Sequence, residues 1–245
     1  MKSALITGAN KSIGYEIARQ LLSKGYYVYL GSRNVENGLK AVEKLKAEYF
    51  DNVEMICIDV TDQDSVKTAR VEIGEKTDVL DVLINNAGIS GGMPQSAIET
   101  DMDVFKKVFE TNLFGVIRVT QVFMDLLRKS DEPRIVNVTS GMGSMTLHSD
   151  PTWESYQFKA PVYDTSKAAL NMYTIQLAYE LRDTPFRVNA VDPGFTKTDF
   201  NNNMGTAPVE LGASRIVKYI LINNDGPTGG YFSQQNNPET EVSPW

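Results

Sequence analysis

The sequence predicts an α/β protein, a single-domain doubly wound parallel sheet with helices on both faces. Two observations carry that expectation. Short apolar, β-branched runs alternate with amphipathic stretches from the first residues onward. No internal repeat or Pro/Ser-rich linker divides the 245 residues, a length that suits one large domain. Strands separated by helical spacers pair in parallel, through right-handed crossovers.

Residues 3–7 read as a buried strand, and residues 13–24 as a helix with Ile13, Ile17 and Leu21 on one stripe. Further strands are expected at 27–30, 53–59, 79–85, 134–139 and 187–191, with a last one near Tyr231. Helices are expected at 35–49, 64–73, 162–181 and 208–221, and a long one at 101–128 is interrupted near Thr111. Residues 234–245 form a polar tail with no readable element.

Composition narrows the function. With 24 basic and 31 acidic residues the formal charge is −7, which argues against a nucleic-acid surface. One cysteine, Cys57, forms no internal disulfide, and with a single histidine, His148, it makes no Cys/His metal site. A hydrolytic triad would depend on that same His148. No apolar run suggests a signal peptide or membrane span, so a cytoplasmic protein is expected.

In doubly wound sheets ligands bind beyond the carboxyl ends of the strands, so that edge should carry the chemistry. The first strand runs into Thr7-Gly8-Ala9-Asn10-Lys11-Ser12-Ile13-Gly14 and then a helix. Glycines there let the backbone approach a pyrophosphate, and a helix N-terminus offers unpaired N–H groups. At the end of the second strand stands Arg33, with no acid before Glu36. A missing carboxylate and a present guanidinium favour a ribose 2′-phosphate over a free 2′-hydroxyl.

The turn resembles the Thr-Gly-x-x-x-Gly-x-Gly motif of the short-chain dehydrogenase/reductase family, with Ser12 in place of the middle glycine, where its hydroxyl is expected to cap the helix. Four further segments match in order: Asn85-Asn86-Ala87-Gly88, Ser140 ending strand five, Tyr163-x-x-x-Lys167, and Pro193-Gly194-Phe195-Thr196-Lys197-Thr198. The resemblance spans about residues 3–233, is closest to NADP-preferring carbonyl reductases, and implies a Rossmann-type fold. It implies cofactor contacts from Gly8, Asn10, Lys11, Ser12, Ile13, Gly14, Arg33, Asp59 and Val60. Asn86, Ala87, Gly88, Pro193, Gly194, Thr196 and Thr198 complete that set, together with Tyr163 and Lys167.

Residues four apart share a helical face, so Lys167 should lie beside the Tyr163 phenol. A unit charge about 4 Å away at an effective dielectric near 20 is worth up to roughly 4 kcal/mol, on the order of 3 pKa units. Lys167 is therefore expected to draw the phenol towards neutrality. The resemblance implies a tetrad in which Tyr163 protonates a carbonyl, Ser140 binds the same oxygen, Lys167 also holds the nicotinamide ribose, and Asn112 keeps a water linked to Lys167.

The expected function is NADPH-dependent reduction of a small-molecule ketone or aldehyde, without nucleic-acid, membrane or metal partners. The alternative is a non-catalytic NADP-binding regulator, against which the Tyr163/Lys167 pair argues; a sugar-nucleotide epimerase is disfavoured because little chain follows Pro193. Residues 145–161, with Trp153, Tyr156 and Phe158, form an insertion expected beside the substrate mouth. Family habit suggests a homo-oligomer and the insertion a monomer.

Overall fold

Successive side chains of strand β1 (Ser3–Ile6) enter two different cores. Ala4 and Ile6 face one and Leu5 the other, each with no exposed surface. The same alternation runs through β2 (Tyr27–Ser32), β4 (Val82–Asn85) and β5 (Arg134–Val138), as a sheet covered on both faces requires. The computed structural model describes residues 1–245. With β3 (Val53–Cys57), β6 (Arg187–Val191) and β7 (Tyr231–Phe232), the strands form one parallel sheet in the order β3-β2-β1-β4-β5-β6-β7.

Helices α1 (Ser12–Ser23), α2 (Val35–Ala47) and α8 (Val209–Ile220) cover one face through Ile17, Leu21, Val42, Leu45 and Ile216. Helices α3 (Gln63–Gly74), α5 (Gly115–Leu127) and α7 (Pro161–Glu180) cover the other through Ile73, Phe123, Leu126 and Leu177. The chain reverses its order of strand addition between β1 and β4, which opens a crevice at their carboxyl ends. No helix is long and apolar enough to cross a membrane.

Three segments refine the sequence expectations. Strand four begins at Val82; before it the Val79 carbonyl accepts from the Ser3 hydroxyl, the Leu80 amide donates to the Leu126 carbonyl, and the Asp81 carboxylate accepts from the Ser3 amide. The long helix divides into α4 (Met102–Phe109) and α5 around a π-helical turn, Glu110–Phe114, at the anticipated interruption. The tail is folded. Val242 bridges antiparallel to Phe232, Ser243 is buried, and the Trp245 ring lies 5.3 Å from that of Tyr231.

Candidate active site

Gly8 leaves β1 at φ +64°, where a Cβ would stand 3.0 Å from the Ala87 Cα. At Gly14 a Cβ would meet the Asn86 amide nitrogen at 2.5 Å and the Gly8 carbonyl at 2.7 Å. Both positions need glycine for this turn to close on the loop after β4. That loop braces the turn in return. The Thr7 hydroxyl accepts from the Asn86 and Ala87 amides at 3.0 and 3.1 Å, and Asn86 Nδ2 donates to the Thr7 and Gly8 carbonyls at 2.9 and 3.0 Å.

Ser12 does not cap α1. Its φ is +52°, in the left-handed region that glycine occupies freely, and Lys11 is the capping residue, with no side-chain bond to the helix. The middle position of the glycine motif is thus a backbone requirement, which Ser12 meets at a cost of about 1–2 kcal/mol. Ile13 packs towards the core, and Asn10 is half-buried.

Arg33 is exposed one residue past β2. Lys11 lies in the glycine turn, its Nζ 3.1 Å from an Asp199 carboxylate oxygen contributed by the loop after β6. Burial would raise the Asp59 pKa. Hydrogen bonds from the Thr61 amide and hydroxyl, with the charges of Arg33 and Arg118, outweigh it and hold the carboxyl below its usual range. Val60 is buried beside Gly115, and its carbonyl accepts from Arg118.

Three elements bring the tetrad residues together. Ser140 lies two residues past β5, and Tyr163 and Lys167 lie in the first two turns of α7. The Lys167 Nζ is 5.7 Å from the Tyr163 ring centroid and donates to the Val138 carbonyl at 2.8 Å. Asn112 sits in the π-helical turn. Its Oδ1 accepts from the Ile89 amide at 2.8 Å, and its Nδ2 donates to the Ile89 carbonyl and the Ser166 hydroxyl. A Cβ on Gly88 would lie 3.4 Å from Asn112 Oδ1 and 3.8 Å from Lys167 Nζ, so Gly88 leaves the gap where these groups meet.

The electrostatics correct one expectation. Lys167 does not acidify the phenol: burial pushes Tyr163 upward, and the Ser140 hydroxyl, bonded to it, offsets only part of the rise. The ammonium is itself only 5% exposed, and desolvation lowers it to about 8. Burial outweighs whatever the ammonium, 5.7 Å from the ring centroid, contributes to the phenol. Asp164, next to Tyr163, is pushed up to about 6 by burial.

The profile of the short chain dehydrogenase family matches residues 2–208. The chain belongs to this family. It is 34% identical to (+)-neomenthol dehydrogenase from Capsicum annuum, across 94% of each chain, and 33% identical to salutaridine reductase from Papaver bracteatum, across 95% of this chain and 94% of that one. The NADPH-bound carbonyl reductase from chicken fatty liver superposes with a TM-score of 0.85 at 25% identity, covering 100% of this chain and 99% of the other. The Capsicum alignment runs over 301 positions, more than this chain's 245 residues, so that relative carries segments this short-chain dehydrogenase lacks.

Within this family member, Gly194 turns at φ +76° after Pro193, and Thr198 accompanies Asn201, whose Oδ1 accepts from the Thr198 amide. The Thr196 side chain turns inward. It is 3% exposed, and its hydroxyl donates back to the Pro193 carbonyl, because its side chain packs against Gly212. In the insertion, α6 (Met145–His148) is capped by Ser144; His148 meets Trp153 edge-on, Lys159 lies over Tyr156, and Phe158 is exposed.

Sequence reasoning missed Gln95 and Asp192. Helix α7 starts on Pro161 with no side-chain cap from Ala160; instead Gln95 Oε1 accepts from the Val162 and Tyr163 amides at 3.0 and 3.2 Å. Phe200 packs its ring 5.6 Å from that of Tyr163. No local pattern marks Gln95, which lies 68 residues from Tyr163.

Proposed function

We propose that this short-chain dehydrogenase reduces a ketone or aldehyde carbonyl with NADPH, using Tyr163 as general acid. The observation that carries the reading is the convergence of Ser140, Tyr163, Lys167 and Asn112 at the sheet edge that also holds the Gly8–Gly14 turn. The residues fit the cofactor: the turn admits no side chain at Gly8 or Gly14, and Arg33 and Lys11 supply cations where a carboxylate would select a free ribose hydroxyl. Bound there, NADPH would supply the hydride.

The raised phenol suits the reductive direction. Reduction needs Tyr163 protonated at the start, and a phenol held above its ordinary value stays protonated at neutral pH. Ser140 donates to the same carbonyl oxygen and supports the charge that develops on it. Lys167, protonated below about 8, contributes a positive charge beneath the phenol and a donor for the nicotinamide ribose. Asn112 has both amide hydrogens engaged, so a water linked to Lys167 would use the second lone pair of Oδ1 or the backbone carbonyl.

Residues 145–161 would border the substrate, with exposed Phe158 as the apolar contact. NADPH consumption at 340 nm against aldehydes, ketones and quinones tests the reading. Turnover of at least one carbonyl class is the expected result. NADPH binding without turnover across the panel would favour the regulatory alternative instead.

A further inference from the structure

Asp192 lies one residue past β6, is 4% exposed, and has no part in the reaction outlined above. Its carboxylate joins three separate segments. Oδ2 accepts from the Ser233 hydroxyl at 2.6 Å and Oδ1 from the Gly194 amide at 2.9 Å. The third segment is the loop leaving Ser140: the Gly141 amide also bonds the carboxylate, and a Cβ on Gly141 would stand 3.2 Å from Oδ2.

The C-terminal segment continues the same support. The Tyr231 hydroxyl donates to the Ser140 carbonyl at 2.7 Å, and Asn236 Nδ2 donates to the Gly141 carbonyl at 3.3 Å and to Ser243 at 3.0 Å. The Thr146 amide closes the loop onto the Trp245 carbonyl at 2.8 Å. The loop carrying Ser140 is therefore held by β7 and the tail at Ser140, Gly141 and Thr146.

We propose that Asp192 is a positioning residue for Ser140, clamping its loop to the Pro193-Gly194 turn and the C-terminal segment, and that it serves as the counter-charge of Lys167. This rests on the reductase reading. The titratable groups facing Asp192 are Tyr163 and Lys167 from α7, Arg215 from α8 and Tyr231 from β7. Arg215 spends two of its donors elsewhere, on the Pro193 carbonyl and Gln234. The Lys167 ammonium sits on the Val138 carbonyl, and Val138 pairs with Val191, the residue before Asp192. Burial lowers that ammonium and Asp192 is the acid that opposes the lowering; burial raises the Asp192 carboxyl in turn, against the Ser233, Gly194 and Gly141 bonds and the Arg215 charge. Neutralising Asp192 should let Lys167 lose its proton at lower pH.

Asp192→Asn keeps the size, removes the charge and turns one of the two accepting oxygens into a donor. With a carbonyl that the wild-type chain turns over, kcat is expected to fall about 10-fold or more while substrate KM stays within about threefold. The alkaline decline of kcat is expected to move to lower pH by about half a unit or more, a shift that a purely structural role would not produce. Ser233→Ala, which removes the bond to Asp192 and the one accepted from the Asn236 amide and leaves the charge, is expected to lower kcat about threefold to tenfold with the alkaline decline in place.

A folded Asp192→Asn protein with wild-type kcat, or with its alkaline decline unmoved, overturns the proposal. Should that variant fail to fold, Ser233→Ala decides, and kcat within about twofold of wild type overturns it. Failure of the wild-type chain to turn over any carbonyl would remove the reductase reading, and this proposal with it.

Discussion

Replacing Lys167 by methionine should end turnover without weakening the fold. Burial lowers the ammonium from 10.5 to about 8. At 1.36 kcal/mol per unit, keeping it charged at pH 7 costs about 3 kcal/mol. Methionine removes that cost, but the Val138 carbonyl loses its 2.8 Å donor, a loss of about 1–3 kcal/mol. The net change lies between neutral and about 2 kcal/mol of added stability, worth at most about 4–8 °C for a domain of this size. The pH dependence fixes the sign. A cation whose folded pKa is depressed leaves the unfolded chain binding more protons between about 8 and 10.5, so wild-type stability rises with pH through that window. The variant's advantage should therefore shrink by about 2 kcal/mol between pH 7 and pH 10. Urea denaturation of both proteins at the two pH values, followed by the fluorescence of Trp153 and Trp245, measures it. Destabilisation beyond about 2 kcal/mol at pH 7, or an advantage that does not change with pH, would refute the reasoning.

Two further outcomes follow from the cofactor groove. Arg33→Ala should raise KM for NADPH about 10-fold or more while leaving KM for NADH nearly unchanged, since a guanidinium bond to phosphate is worth about 1.5–3 kcal/mol; equal effects on the two cofactors would count against 2′-phosphate recognition. Ser12→Gly should relieve the +52° backbone, but the freer unfolded chain takes back about 0.5–1 kcal/mol. A melting temperature raised by no more than about 6 °C is expected, and a clear loss of stability would contradict the left-handed geometry.

Much of this molecule could be read from its sequence because the informative residues sit where local rules place them. Short apolar, β-branched runs and helical spacing locate the strands and helices, and the carboxyl-edge rule puts Gly8, Asn86, Ser140 and Tyr163 on one rim. Thr111 flagged a break that proved to be the π-helical turn carrying Asn112. What stayed hidden depends on contacts between distant segments. Ser12 reads as a helix cap until its φ is known, and Gln95 is an ordinary loop glutamine until α7 closes over it. The tail carries no periodicity, because it is held by single bonds to Ser140, Gly141 and Thr146 and not by a ladder. The direction of the Tyr163 shift is hidden for a related reason: spacing gives the proximity of a charge but not the burial that opposes it.

The most direct test of the central claim is Tyr163→Phe, assayed for NADPH oxidation with a carbonyl that the wild-type chain reduces and, separately, for NADPH binding by fluorescence. Loss of kcat by about 100-fold or more, with the dissociation constant within about threefold, is the expected result. A variant that keeps wild-type turnover would contradict the assignment of this hydroxyl as the proton donor.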